Sequence, residues 1–176
     1  MKTKDMILVA VFTAILCVMA PLSLPLSGGV PISLGTLLVM LIAFELKQYR
    51  ATLVILLYIF LAMMGLPVLS GYVGGIDRVL GMTGGYIIGY LPLAFIVGFV
   101  SKISIKYEIK KRLVYIFISM LIGTLVLYTI GTIWFLIFTK TTLSAALMAC
   151  VIPFIPGDIL KMIIVLIVAP RIEKSI

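Results

Sequence analysis

The chain has 176 residues, of which 64% are hydrophobic and 11% charged, with a formal net charge of +8. That composition belongs to an integral membrane protein whose core lies in lipid, a single transmembrane domain over 1–176 with no soluble lobe. There is no histidine and no asparagine, and Gln48 is the one glutamine, so histidine-built zinc sites, Ser–His or Cys–His catalysis and histidine proton relays are excluded.

Six apolar segments follow in order, 6–25, 32–46, 51–69, 79–100, 113–138 and 143–169, each bounded by charge or by Pro and Gly. The first has the basic end and apolar run of a signal peptide, but it continues to Pro25 without an A-x-A cleavage site and is read as a retained helix. The connection that follows it, 21–31, is too apolar for an ordinary solvated loop and is expected to cover something. Its Leu26-Ser-Gly-Gly29 imitates an ATPase signature by coincidence, since no GxxxxGK[ST] exists to cradle a phosphate. The second segment has 15 residues, about 22 Å of helix, and is short for a crossing.

Basic residues alternate along the chain. Lys2 and Lys4, Lys47 and Arg50, the cluster Lys102, Lys106, Lys110, Lys111 and Arg112, and Arg171 with Lys174 mark one end of the segments, while the other end carries only Asp77, Arg78 and Lys140. This pattern argues for membrane topology and against nucleic acid as a partner. Positive-inside bias predicts an all-α protein of six transmembrane helices, both termini cytoplasmic. Cys17 and Cys150 lie in apolar segments without CxxC spacing and are expected to be inert buried thiols. No repeat of 20–50 residues is evident.

Between segments three and four the chain is rich in glycine. Gly71 to Gly75 suit a loop that exposes backbone N–H and C=O groups, and Gly81, Gly85 and Gly89, spaced by four, suit close helix packing. Arg78, the one arginine on that side, has three partners open to it: a ligand carboxylate, its neighbour Asp77, or lipid headgroups.

The last segment contains Pro153-Phe-Ile-Pro-Gly-Asp-Ile-Leu-Lys161, which places a carboxylate and an ammonium in an otherwise uncharged run. A charge at membrane depth costs about 2.5–3.5 kcal/mol on insertion scales, so the pair asks for a function. Three positions apart, Asp158 and Lys161 share one helix face. The helix is expected to break or restart near Pro156-Gly157, with Asp158 fit to act as its N-cap and Lys161 electrostatically misplaced in a first turn unless Asp158 or an anionic ligand compensates. A substrate site and a self-satisfying pair that only bends the helix both account for these residues.

Four stretches together resemble the BioY-type biotin-specific S-components of energy-coupling-factor (ECF) vitamin transporters: Pro31-Ile-Ser-Leu-Gly-Thr36, Gly65-Leu-Pro-Val-Leu69, Gly74-Gly75 with Leu80-Gly-Met-Thr-Gly-Gly-Tyr86, and Phe154-Ile-Pro-Gly-Asp-Ile-Leu-Lys161. The resemblance implies six transmembrane helices in the bacterial plasma membrane and a biotin pocket toward the outer face. It further implies docking on a transmembrane coupling protein driven by two ATP-binding-cassette ATPases, with no enzymatic step, no metal and no cofactor beyond biotin as cargo. Small residues spaced AxxxA on the first helix serve docking in such proteins, and Ala10 and Ala14 match. Met82 stands where the family usually has Pro. Val73 and Ile87 stand where some members place an Asn and an Arg as ligand contacts.

The residues expected to bind substrate are Asp158, Lys161, Arg78, Gly74, Gly75 and Tyr86, with Tyr72, Tyr90, Leu69 and the first loop as further walls. Asp158, as an ionised acceptor, suits the ureido N–H groups of biotin. Lys161 suits either the ureido carbonyl or the valerate; if it takes the ring, Arg78 becomes the carboxylate partner. The competing function classes are a self-sufficient ion-coupled secondary transporter, with Asp158 as the one deep carboxylate able to titrate, an intramembrane enzyme, and a purely structural subunit. One Asp and one Lys without His supply little acid–base machinery for the enzyme, and the structural subunit leaves the buried pair unexplained.

Overall fold

The computed structural model describes residues 3–24 and 32–173; Leu26-Ser-Gly-Gly29 of the first loop, and Lys2 and Lys174 of the basic ends, lie outside the described residues. Seven helices carry almost all of it: α1 (Thr3–Met19), α2 (Gly35–Met63), the one-turn α3 (Ile76–Val79), α4 (Gly84–Ser104), α5 (Ile109–Thr139), α6 (Leu143–Cys150) and α7 (Ile155–Glu173). By length and composition α2, α4 and α5 can each cross a membrane, and α6 with α7 qualify together across a 43° bend. One element escapes the all-α expectation. The strands β1 (Ser23–Leu24) and β2 (Ile32–Ser33) pair antiparallel, Ser23 with Ser33 and Leu24 with Ile32, and close the base of the first loop.

Segments two and three, read as separate runs divided by Lys47 and Arg50, form the single run α2, broken only at Lys47 with φ 63° and ψ −178°. A left-handed lysine is strained, and its surroundings compensate. Its ammonium donates to the Phe44 carbonyl at 3.1 Å and to Glu173 Oε1 at 2.9 Å, and lies 5.5 Å from the centroid of the Phe44 ring. Glu173, at the far end of α7, also receives Arg112 bidentately at 2.7 and 2.9 Å. Arg112 therefore sits largely buried in α5, its guanidinium 4.9 Å from the centroid of the same Phe44 ring. The charges read from sequence as topology markers thus do a second thing: they fasten the break in α2, the start of α5 and the end of α7 together.

The fourth segment also differs from its expected bounds. It begins with α3, turns through 80–83 and runs as α4 only from Gly84, because the glycines at 81, 84 and 85 favour a turn and a close approach over a continuous helix. The break in the last segment falls at 151–154, before the Pro156-Gly157 pair; Pro156 then occupies the first turn of α7, where its missing N–H is no loss. Asp158 is accordingly no N-cap. Its backbone N–H donates to the Phe154 carbonyl at 2.8 Å, one turn inside the helix.

Packing follows small residues. Leu16, Val39, Phe44, Ile55, Leu93, Val97, Met162 and Val165 are buried between α1, α2, α4 and α7. The faces left outward carry Ile7 and Val18 on α1, Leu125 and Ile137 on α5, and Leu160 and Ile167 on α7, as lipid requires. Cys150 is buried and Cys17 half-buried, and both are free thiols. Gly98 lets α4 lie against the Lys47 break, since a Cβ there would stand 2.7 Å from the backbone N and Cα of Gln48 and 2.8 Å from the Lys47 carbonyl carbon. Backbone cannot yield as a side-chain tip does. Gly157 has open space around it. Gly98→Ala is therefore expected to lower stability by roughly 1–3 kcal/mol, and Gly157→Ala to leave it unchanged or raise it by up to about 1 kcal/mol. Thermal unfolding of the two variants in one detergent checks this; equal melting temperatures would refute the packing argument.

Candidate substrate site

A cavity of about 930 Å³ lies within the size range of small-molecule sites and is bounded by the loop 65–83 and the first turns of α4. Its walls are mostly apolar and aromatic, with Tyr58, Leu69, Val73, Ile87 and Tyr90 prominent among them. The loop is held in place by polar tethers. The Tyr58 hydroxyl donates to the Val68 carbonyl at 2.9 Å, and the indole N–H of Trp134 on α5 donates to the Gly81 carbonyl at 2.9 Å.

Asp77 and Arg78, carried by α3, stand on the cavity wall and are exposed. Arg78 makes no ion pair with Asp77 or with any other described residue, which leaves its guanidinium available. Gly74 and Gly75 do not line the cavity. They act one step back: a side chain on Gly74 would collide with the Leu66 carbonyl, and Gly75 enters α3 with φ +105° while donating to the Ala62 carbonyl at 2.7 Å. Tyr72, expected as a wall, is exposed and is not among the lining residues.

Below the large cavity is a small void of about 50 Å³ that contains Asp158 and Lys161 and shares Ser33, Tyr86 and Tyr90 with it. The two predicted charges are buried, at 3% and 8% exposure. Lys161 Nζ donates to Asp158 Oδ1 at 2.9 Å and to the Thr36 hydroxyl oxygen at 2.9 Å. Thr36 in turn donates to Asp158 Oδ1 at 3.1 Å, and the Tyr128 hydroxyl donates to Asp158 Oδ2 at 2.6 Å. Three helices meet at this carboxylate: α2 through Thr36, α5 through Tyr128, and α7 itself.

This network decides part of what sequence left open. The pair is closed and neutral, so no lone charge is stranded at depth, yet an ammonium has three donors and only two meet an acceptor among the described residues. Asp158 has further lone-pair capacity on both oxygens. The arrangement therefore keeps one ammonium donor and carboxylate lone pairs uncommitted among the described residues. Tyr86, the remaining predicted residue, lines both spaces; its hydroxyl lies 3.2 Å from that of Thr132 and 3.4 Å from the Cys150 carbonyl, which turns it into a fixed aromatic wall.

Sequence reasoning missed Thr36 and Tyr128 as partners of the pair. Thr36 closes one of the stretches read as a family motif, so a signal was present without its chemistry. Tyr128 sits mid-segment among apolar residues, and nothing local marks which way it points. Among the described residues no group of three or more His, Cys, Asp and Glu side chains converges to hold a metal ion.

With this geometry in hand, comparison with known proteins is specific. The chain is 35% identical over 166 residues to "Biotin transporter BioY2" of Lactococcus lactis subsp. cremoris, covering 94% of this chain and 88% of that one. It is 35% identical over 175 residues to "Probable biotin transporter BioY" of Pyrococcus horikoshii, covering 99% of each. Its fold is similar to the crystal structure of the S-component for biotin from an ECF-type ABC transporter, with a TM-score of 0.85, 28% identity, and coverage of 99% of this chain and 95% of that one. The family model for BioY matches residues 1–176, and the chain belongs to the BioY family.

Proposed function

We propose that this protein captures biotin as the S-component of an ECF-type importer. The observation that carries the reading is the joining of a small-molecule cavity to a buried, pre-organised Asp158–Lys161 pair in a fold similar to that of a biotin S-component. No bond is made or broken in capture. ATP hydrolysis takes place on two ATP-binding-cassette ATPases, transmitted through a transmembrane coupling protein.

In this reading the chain crosses the plasma membrane six times with both termini in the cytoplasm. α1, the two limbs of α2 on either side of Lys47, α4, α5, and the bent α6–α7 pair supply the crossings. The basic residues at 47, 50 and 102–112 then lie inside, and the 930 Å³ cavity opens outward. Asp158 accepts from the ureido N–H groups and the spare Lys161 donor meets the ureido carbonyl. Biotin's valerate then extends up the cavity toward Arg78. Ile87 and Val73 line the cavity between these poles and offer no hydrogen bond, which leaves Arg78 as the guanidinium placed to hold the carboxylate. Ala10 and Ala14 lie exposed on α1, away from buried Val9, Thr13 and Leu16, as a docking stripe for the coupling protein requires.

Calorimetry and native mass spectrometry of the purified protein against biotin, dethiobiotin, lipoate and pantothenate test the assignment; biotin is expected to bind in preference, and binding of another vitamin with none of biotin would overturn it. Reversing the pair, Asp158→Lys with Lys161→Asp, is expected to abolish biotin binding in protein that still elutes as a monodisperse peak, because donor and acceptor then face the wrong ureido atoms. Near-normal affinity in that double variant would reduce the pair to architecture. Ala14→Trp is expected to lose co-purification with the coupling protein while biotin binding stays near wild type, and normal co-purification would remove α1 as the docking face.

A further inference from the structure

A second cavity, of about 290 Å³, lies between α4 and α5 at the end opposite the biotin site. Ile96, Val100 and Ile103 form its α4 wall, Tyr115, Ile118 and Ile122 its α5 wall. Its floor includes Ser104 and Ser119, but their hydroxyls already donate to the carbonyls of Ser101 at 3.3 Å and Ile116 at 2.7 Å. The floor therefore holds no unmet side-chain donor for a polar ligand. It extends from Tyr115 to Ile122, about 10 Å at helical rise, within one leaflet's hydrocarbon depth of about 15 Å.

Its mouth is different in kind. The Tyr107 and Tyr115 rings lie 5.2 Å apart there, and the Lys106 ammonium stands 5.2 Å from the Tyr107 centroid. Lys111 lies one turn before Tyr115, on the face that continues through Ile118 and Ile122. Lys102, Lys110 and Glu108 complete the charged surroundings, all three exposed. Arg112 is consumed by Glu173, but Lys102, Lys106, Lys110 and Lys111 form no ion pair with any described residue. An apolar slot of acyl-chain depth, an aromatic rim and unneutralised ammoniums above it complement one class of molecule.

We propose that this groove holds an acyl chain of an anionic phospholipid whose phosphate is met by Lys106 and Lys111. It rests on the membrane placement of the helices given above, not on the identity of the vitamin. The test is native mass spectrometry of the full chain released from detergent containing phosphatidylglycerol or phosphatidylcholine of identical acyl chains, with biotin binding measured on the same preparation. One phosphatidylglycerol per protein is expected to be retained in preference to phosphatidylcholine. Lys106→Gln with Lys111→Gln should reduce that preference by roughly fivefold or more, the scale of one lysine or more at an anionic surface. Ile118→Trp, which fills the slot, should reduce retention of both lipids, and glycerol 3-phosphate alone should not bind.

Equal retention of the two lipids, or a preference untouched by both variants, overturns the proposal. So does a dimer, or co-purification with the coupling protein, that Ile118→Trp removes while lipid retention stays constant, because the groove is then a protein contact. Biotin binding that persists in these variants separates failure here from failure of the transport assignment.

Discussion

A carboxylate that must remain buried in an apolar bundle sets the terms for the rest of this structure. Asp158 is 3% exposed, and removing an ion to such surroundings is tolerable only if an opposite charge and hydrogen bonds compensate it. The compensation comes from three helices, through Thr36, Tyr128 and Lys161. The bonds from Thr36 and Tyr128 each fix a distance between elements far apart in sequence, and that from Lys161 closes the pair within α7. The same interaction that neutralises the charge thus locates α2, α5 and α7 around the floor of the cavity.

A second polar junction does the corresponding work at the far end of α7. Glu173 joins Lys47 and Arg112, so α7 is tied at both of its ends, by Asp158 to α2 and α5 and by Glu173 to the same two helices. A helix held so is poorly free to rotate, which matters because a small rotation would carry Asp158 and Lys161 away from the space they share with Tyr86 and Tyr90. The left-handed Lys47 is the local cost of this arrangement. It breaks α2 into two limbs at a single residue and brings its ammonium to Glu173 in the same step.

Much of this was legible beforehand, and the reasons are physical. Asp158 and Lys161 stood out because charge in a long apolar run is expensive, and their i,i+3 spacing put them on one helix face, where they meet at 2.9 Å. The order of apolar segments was readable because lipid imposes length and hydropathy on every crossing. What escaped reading was of two kinds. Partners from distant helices, Thr36 and Tyr128, are fixed by packing between helices, and a single sequence carries no record of that. Backbone decisions also escaped: the break at Lys47 needed a rare φ in a residue that does not favour it, and the glycines at 74 and 75 were read as ligand contacts although Gly74 passes close to the Leu66 carbonyl and the positive φ of Gly75 places α3. Gly81 was read as packing between helices, yet it is its carbonyl, bonded to Trp134, that anchors the loop.

The poverty of the polar inventory bears on selectivity. Without histidine or asparagine anywhere in the chain, hydroxyls take over: Ser33, Tyr86 and Tyr90 line the passage between the two spaces, and Thr36 and Tyr128 hold the ions below it. A tyrosine offers a broad apolar face and one polar tip. When the tip is engaged, as in Tyr58 with Val68 and Tyr86 beside Thr132, only the face is left for a ligand. The large cavity is thus mostly apolar, with Asp77 and Arg78 on its wall and the Asp158–Lys161 pair in the small void beside it. In the proposed mode of binding the ligand is held by its polar ends, and what lies between them meets mostly apolar walls. A molecule with a hydrogen-bonding ring, an apolar middle and a terminal carboxylate fits that division of labour, whereas one polar throughout would leave its central groups facing Ile87 and Val73 without partners.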